Sequence, residues 1–209
     1  MKQLIVSIIL IALFSNCSNP KTKDKEEKNA SKIAAPLEEG TVIIAEQSLA
    51  DTLKGSLKAK AMGTIGNTGI TINYYSPAVR GRIIWGGLIP FDNVWVTGAH
   101  RATSMDFNQK VEIGGVTIAS GKYALFTIPG KQEWTIIINK NWDQHLTDEY
   151  DQKLDIVRVK VKPETEDVHQ ERLRYVIEQE GANKGEIVMY WEKVEISFNI
   201  NNHYQPTKI

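Results

Sequence analysis

Alternation of apolar and polar side chains dominates this chain from residue 70 onward. Ile70, Ile72 and Tyr74 alternate with Thr71, Asn73 and Tyr75, a period of two that predicts a half-buried strand ended by Pro77. Met105, Phe107, Val111 and Ile113 share one parity, with Asp106, Asn108, Lys110 and Glu112 on the other. Gly114-Gly115 then predicts a turn, Val116–Ile118 a short strand and Ser120-Gly121 a second turn. Tyr123–Ile128 is apolar on both parities and reads as a central strand, followed by a Pro129–Gln132 turn and a return strand from Trp134. Val157, Val159 and Val161 alternate with Arg158 and Lys160, and Leu173, Tyr175 and Ile177 with Arg172 and Arg174. Gly181–Gly185 predicts a hairpin turn. Beyond it, Ile187, Met189 and Trp191 form one face, and Val194, Ile196, Phe198 and Ile200 another. The parity flips between Trp191 and Val194, so a bulge or tight turn is required near Glu192-Lys193. Roughly eight to ten short strands with almost no helical period predict an all-β fold with little helix. The expected architecture is an antiparallel β-sandwich, with an open β-barrel as the alternative.

Three segments break the alternation. Thr41–Gly55 is a lead-in with one short apolar run, Val42–Ala45, and no assigned element. Asn139–Lys153 is polar with Trp142, His145 and Tyr150 embedded, and reads as a loop or one to two helical turns. Ser76–Met105 is too rich in Gly and Pro for a regular element and too apolar for disorder. It carries two of the five tryptophans, two of the seven prolines, three arginines and a histidine. A structured loop region on a rigid β scaffold has this composition, and function concentrates in such regions.

The N-terminus changes the picture of where the protein works. Lys2 precedes an apolar run, Leu4–Phe14, interrupted only by Ser7. The run is shorter than the roughly 20 residues that span a bilayer, and reads as a signal peptide. Cys17, the only cysteine, follows at once and is the expected lipidation site of a lipobox. Phe14 and Asn16 depart from the usual small residues there, and the plain alternative is an ordinary signal peptide. The expected organisation is a lipoprotein signal peptide over 1–17, a charged tether over 18–39 and one β-rich domain over 40–209. The expected location is the cell envelope, lipid-anchored in the outer membrane and facing the periplasm, with surface display as the alternative. A single cysteine excludes a disulfide within the chain, so burial must hold the core together. The 25 basic and 25 acidic side chains give zero net charge, and hence no electrostatic case for a nucleic-acid partner.

Several long motifs then point to one family. They include Ser76-Pro77-Ala78-Val79-Arg80-Gly81-Arg82, Trp85-Gly86-Gly87-Leu88-Ile89-Pro90, Val94-Trp95-Val96-Thr97-Gly98-Ala99 and Ala102-Thr103. Downstream lie Ile113-Gly114-Gly115, Ala119–Gly130, Glu133-Trp134-Thr135 and Asp155–Val159. Together they resemble the bacterial envelope family known as domain of unknown function 2911, from about Ile70 to the C-terminus. The resemblance implies a secreted or lipid-anchored β-rich domain and supplies no activity. Where that family's pattern reads W-R-T-G-A-N-E-A-T, this chain has Val96, His100 and Arg101 in place of Arg, Asn and Glu. A site built on those positions in relatives would have different chemistry here or would be lost.

Candidate chemistry concentrates in the same stretch. Trp85, Trp95, Arg82, Thr97, His100 and Arg101, with Tyr75 and Arg80 beside them, are the ingredients of a face for a glycan, a peptide or an envelope partner protein. Aromatic planes stack on apolar ring faces and guanidinium groups donate paired hydrogen bonds. The bland alternative is that Trp85 and Trp95 plug one end of the sandwich, with Thr97-Gly98-Ala99 as tight packing backbone. An enzyme, either a hydrolase or a metal-dependent catalyst, would use His100 as base, Arg101 as oxyanion partner and Asp106. No Gly-x-Ser-x-Gly elbow is present, and His100, His145, His169 and His203 fall in no metal-ligand spacing. No metal or cofactor is therefore expected.

Overall fold

The computed structural model describes residues 38–202. The signal peptide, Cys17, the tether up to residue 37 and His203 lie outside them. Ten strands form two antiparallel sheets. The first has six strands in the order β1-β2-β3-β6-β7-β8: β1 (Leu57–Ile65), β2 (Thr68–Ser76), β3 (Thr103–Phe107), β6 (Gly121–Ile128), β7 (Trp134–Asn139) and β8 (Asp155–Val161). The second has four, in the order β5-β4-β10-β9: β5 (Val116–Ile118), β4 (Val111–Ile113), β10 (Lys184–Asn202) and β9 (Glu164–Gln179). β1 and β2 pack on β9, and β8 packs on β10 and β5. The architecture is a β-sandwich, and the sheets do not close into a barrel. Among the described residues, helix is confined to one 3-10 turn, Gln152–Leu154.

The turn chemistry sets the registers. Ile113 pairs Val116 across Gly114-Gly115, both at positive φ (57° and 79°), as a two-residue hairpin with right-handed strand twist demands. The shared parity of Phe107 and Val111 hides a change of sheet. Asn108 sits at that corner, its Oδ1 accepting from Gly69 N at 2.8 Å, and the chain crosses from β3 to β4. Both parities of β7 are buried along its whole length, and it is flanked on both sides, by β6 and by β8. Between the sheets lie Ile72, Tyr74, Met105 and Phe107 from one side and Tyr175, Met189, Trp191 and Phe198 from the other. At Gly63 the sheets approach so closely that a Cβ would sit 2.8 Å from Ile177 Cβ.

The predicted bulge is present and is larger than one residue. β10 pairs β9 regularly up to Tyr190↔Arg174, then shifts at Glu192 (φ +60°), which faces Gln170, and shifts again at Val194, which faces Thr165. Residues 171–173 of β9 therefore have no partners on β10.

Candidate functional site

The backbone of β9 released by the bulge is taken up by the Ser76–Met105 region. Val79 N donates to Glu171 O at 2.8 Å, and Leu173 N to Pro77 O at 3.0 Å. Ala78 thus faces Arg172 as a short strand extension. On the other flank of the freed segment, Glu171 N donates to Gln47 O at 2.7 Å. The bulge gives up its ladder bonds to β10 and gains a mooring for both the loop region and the lead-in.

A second mooring lies on β6. Thr103 faces Leu125, and the next place along β6, Thr127, is taken by Trp95 through two hydrogen bonds of 2.8 and 3.0 Å. Val96–Ala102 is an excursion out of that line, closed by Thr103 N to Val96 O at 3.2 Å. Its turn places Thr97 at φ +51° and His100 at φ +62°. A β-branched residue in the left-handed region costs on the order of 1–3 kcal/mol and persists only where its surroundings fix it. Here Thr97 O accepts from Tyr175 Oη at 2.6 Å and from Thr103 Oγ1 at 2.9 Å. The Thr97 hydroxyl meets Thr127 Oγ1 at 3.1 Å. Burial pushes the Tyr175 phenol well above its ordinary range, so it stays a neutral donor. Trp95 Nε1 donates to Gly98 O at 3.0 Å and completes the clamp.

Four of the five tryptophans meet beneath this loop. Trp95 stacks on Trp191 with ring centres 5.7 Å apart, and Trp85 meets Trp95, Trp134 and Trp191 edge-on at 4.8–5.8 Å. Above the cluster the loop leaves a recess of about 340 Å³. Leu88, Ile89, Pro90 and Val94 wall it, with Trp95 and Trp191 among its lining. The polar side chains lining it are Ser56, Arg82, Asn93 and His100, and no carboxylate is among them. A hollow of similar size, about 330 Å³, lies against Trp85, Phe91, Trp134, Pro163 and Val194.

The structure divides the sequence-derived candidates. Trp95, His100 and Arg82 line the recess; Trp85, Thr97 and Arg101 do not. Trp95 is only 8% exposed, and its ring is engaged by the other indoles. Thr97 is buried and acts through backbone shape. Arg101 points outward to an exposed ion pair with Asp143, of a kind worth about 0–1 kcal/mol. Asp106 lies on β3 between Thr71 and Lys122, and no hydrogen bond joins it to His100 or Arg101. His100 meets Tyr75 edge-on at 5.1 Å. The two polar loops do meet: Leu146 N donates to His100 O at 2.8 Å, which sets His145 opposite Arg101. His145 Nδ1 lies 2.9 Å from Asp148 Oδ2. Among the described residues no group of three or more His, Cys, Asp or Glu side chains could hold a metal ion. Sequence reasoning missed Trp191, Asn93, Ser56 and Leu146. The one signal for Trp191 was its place beside the parity flip.

Fold and recess define a two-sheet antiparallel sandwich whose longest irregular segment builds a concave site on its own scaffold. The chain belongs to the family described as protein of unknown function (DUF2911), whose model matches residues 56–200. That span opens one residue before β1 and ends within β10, so it takes in every strand. No curated protein and no solved structure matches the chain.

Proposed function

We propose that the protein is a binding module of the bacterial cell envelope, which holds a glycan, a peptide or a partner protein through its 76–105 loop region. One observation carries this reading. A loop region moored on β9 and β6 spends backbone strain at Thr97 and His100 to form an open, largely apolar recess with a few convergent polar groups. Ligand sites commonly have this character, and 340 Å³ lies at the small end of their range of about 300–1,000 Å³. The apolar Leu4–Phe14 run and Cys17 support lipid anchoring in the outer membrane, with residues 18–39 as the tether. No helix of the described residues is long and apolar enough to cross a membrane.

The test is thermal melting of the protein against a panel of glycans, peptidoglycan fragments and peptides. A ligand at about 100 times its dissociation constant adds about 2.7 kcal/mol and raises Tm by several degrees. Leu88→Asp, at an exposed position of the recess wall, should leave the unliganded Tm unchanged and remove the shift. A shift that survives Leu88→Asp places binding elsewhere, and a panel without any shift contradicts a glycan or peptide ligand and leaves a partner protein as the occupant to test by cross-linking.

A further inference from the structure

The lining of the recess is one-sided in charge. Arg82 and His100 are its only ionisable side chains, and every other lining residue is apolar, small or neutral. Arg82 is fixed in place, since its Nε donates to Val79 O at 3.1 Å and one Nη2 hydrogen to Ala78 O. Two acceptors use two of its five N–H donors. Among the described residues it has no carboxylate partner, although the chain as a whole carries as many acids as bases. The ring nitrogens of His100 likewise meet no protein acceptor among those residues; its packing is edge-on against Tyr75. Trp191, wholly buried and lining the same recess, has an indole N–H without a partner in the protein. These are donors without acceptors beside an apolar hollow.

Resting on the reading that this recess is a binding site, we propose that its ligand is a carboxylate joined to an apolar body, with the carboxylate at Arg82 and His100 and the body against Leu88, Val94, Trp95 and Trp191. A preoriented guanidinium offers a carboxylate paired, charge-assisted hydrogen bonds. A neutral sugar would make no use of that charge, and the indole faces it would stack on are already engaged within the tryptophan cluster. A free aliphatic acid and the C-terminal residue of an apolar peptide share this chemistry.

Calorimetric titration of the full chain with octanoate, octanamide, acetyl-trileucine acid and acetyl-trileucine amide tests the proposal. At least one acid should bind tenfold or more tighter than its amide. Arg82→Gln should weaken that acid tenfold or more while leaving the amide unchanged, and Arg82→Lys should keep part of the affinity. Preference for octanoate identifies a free acid, and preference for the peptide acid identifies a chain end; both support the proposal. An amide that binds as tightly as its acid, or an acid indifferent to Arg82→Gln, overturns it. Binding of a neutral glycan that Leu88→Asp abolishes, without binding of either acid, overturns the carboxylate assignment and leaves the binding-module reading intact. Failure of every ligand, neutral or acidic, overturns the carboxylate proposal and, with it, a glycan or peptide ligand for the recess.

Discussion

Arg172 holds Asp51 with two nitrogens, Nε on Oδ2 and Nη2 on Oδ1, across 121 positions of sequence. The same guanidinium donates to the carbonyls of Leu53, Gly55 and Ser76 at 2.8–3.2 Å. All five of its N–H donors are therefore used, and the side chain is 1% exposed. This one group ties the lead-in, the end of β2 and the bulged segment of β9 together, directly beneath the mooring of the loop region. A buried charge is tolerable only when paired and fully hydrogen-bonded, and this one is.

Arg172→Ala should destabilise the protein by about 3–5 kcal/mol, the usual cost of breaking a buried pair from one side. Denaturant unfolding measures it. Asp51→Asn keeps an acceptor and should cost less. The Asp51 carboxyl is held below its usual range, first by its hydrogen bond to Arg172. The stability it contributes is thus present above the unfolded carboxylate pKa and lost as pH falls through the lowered one.

Gly98→Ala should destabilise by about 1–3 kcal/mol, because a Cβ there would sit 2.7 Å from Thr103 Oγ1 and 3.2 Å from Tyr75 O. Both oxygens belong to the clamp and the β2 backbone, so the turn must move instead. A lowered Tm together with lost ligand binding is the expected pair of results. A neutral substitution would show the 96–102 excursion to be loose.

Glu195 gives a pH dependence of the opposite sign to Asp51. Its carboxyl is pushed up to about 7, first by burial and then by a hydrogen bond and repulsion from Glu166, with Glu164 directly across the β9–β10 ladder. The folded state therefore binds a proton that the unfolded state has released between about pH 4.5 and 7. That contribution is fully present below the unfolded pKa and is lost as pH rises through about 7. Melting should be higher at pH 5.5 than at pH 8, and Glu195→Gln, neutral throughout, should flatten the difference. An unchanged pH profile in Glu195→Gln would sink the assignment.

Cys17→Ser tests the proposed anchor. The wild-type protein should partition with membranes, and the variant should appear in the soluble envelope fraction with an unchanged melting temperature. Equal membrane partition of the two would remove lipidation as the tether.

The strands were legible in the sequence wherever one face of a sheet is wet. Ile70, Ile72 and Tyr74 on β2 are the plain case. The bulge at Glu192 was legible because a slip of one residue reverses the parity of everything after it. Arg172 was not. Its alternation with Leu173 and Tyr175 placed it on the solvent side, but the lead-in around Gln47 and Asp51 covers that side, so residues 170–173 are buried on both faces. Period-two reasoning fails where a distant segment covers the outer face of a sheet. For the same reason the site was found only in part. The loop carrying Arg82, Trp95 and His100 stood out by composition, whereas Ser56, Leu146 and Trp191 reach the recess from three other parts of the fold.

The most direct measurement is a backbone amide chemical-shift map of the protein titrated with whichever ligand of the panel raises its melting temperature. The account predicts changes concentrated in residues 77–100, with Ser56, Leu146 and the Trp191 indole N–H moving in step. Changes centred on the exposed faces of the two sheets, with the Trp191 indole unmoved, would contradict it.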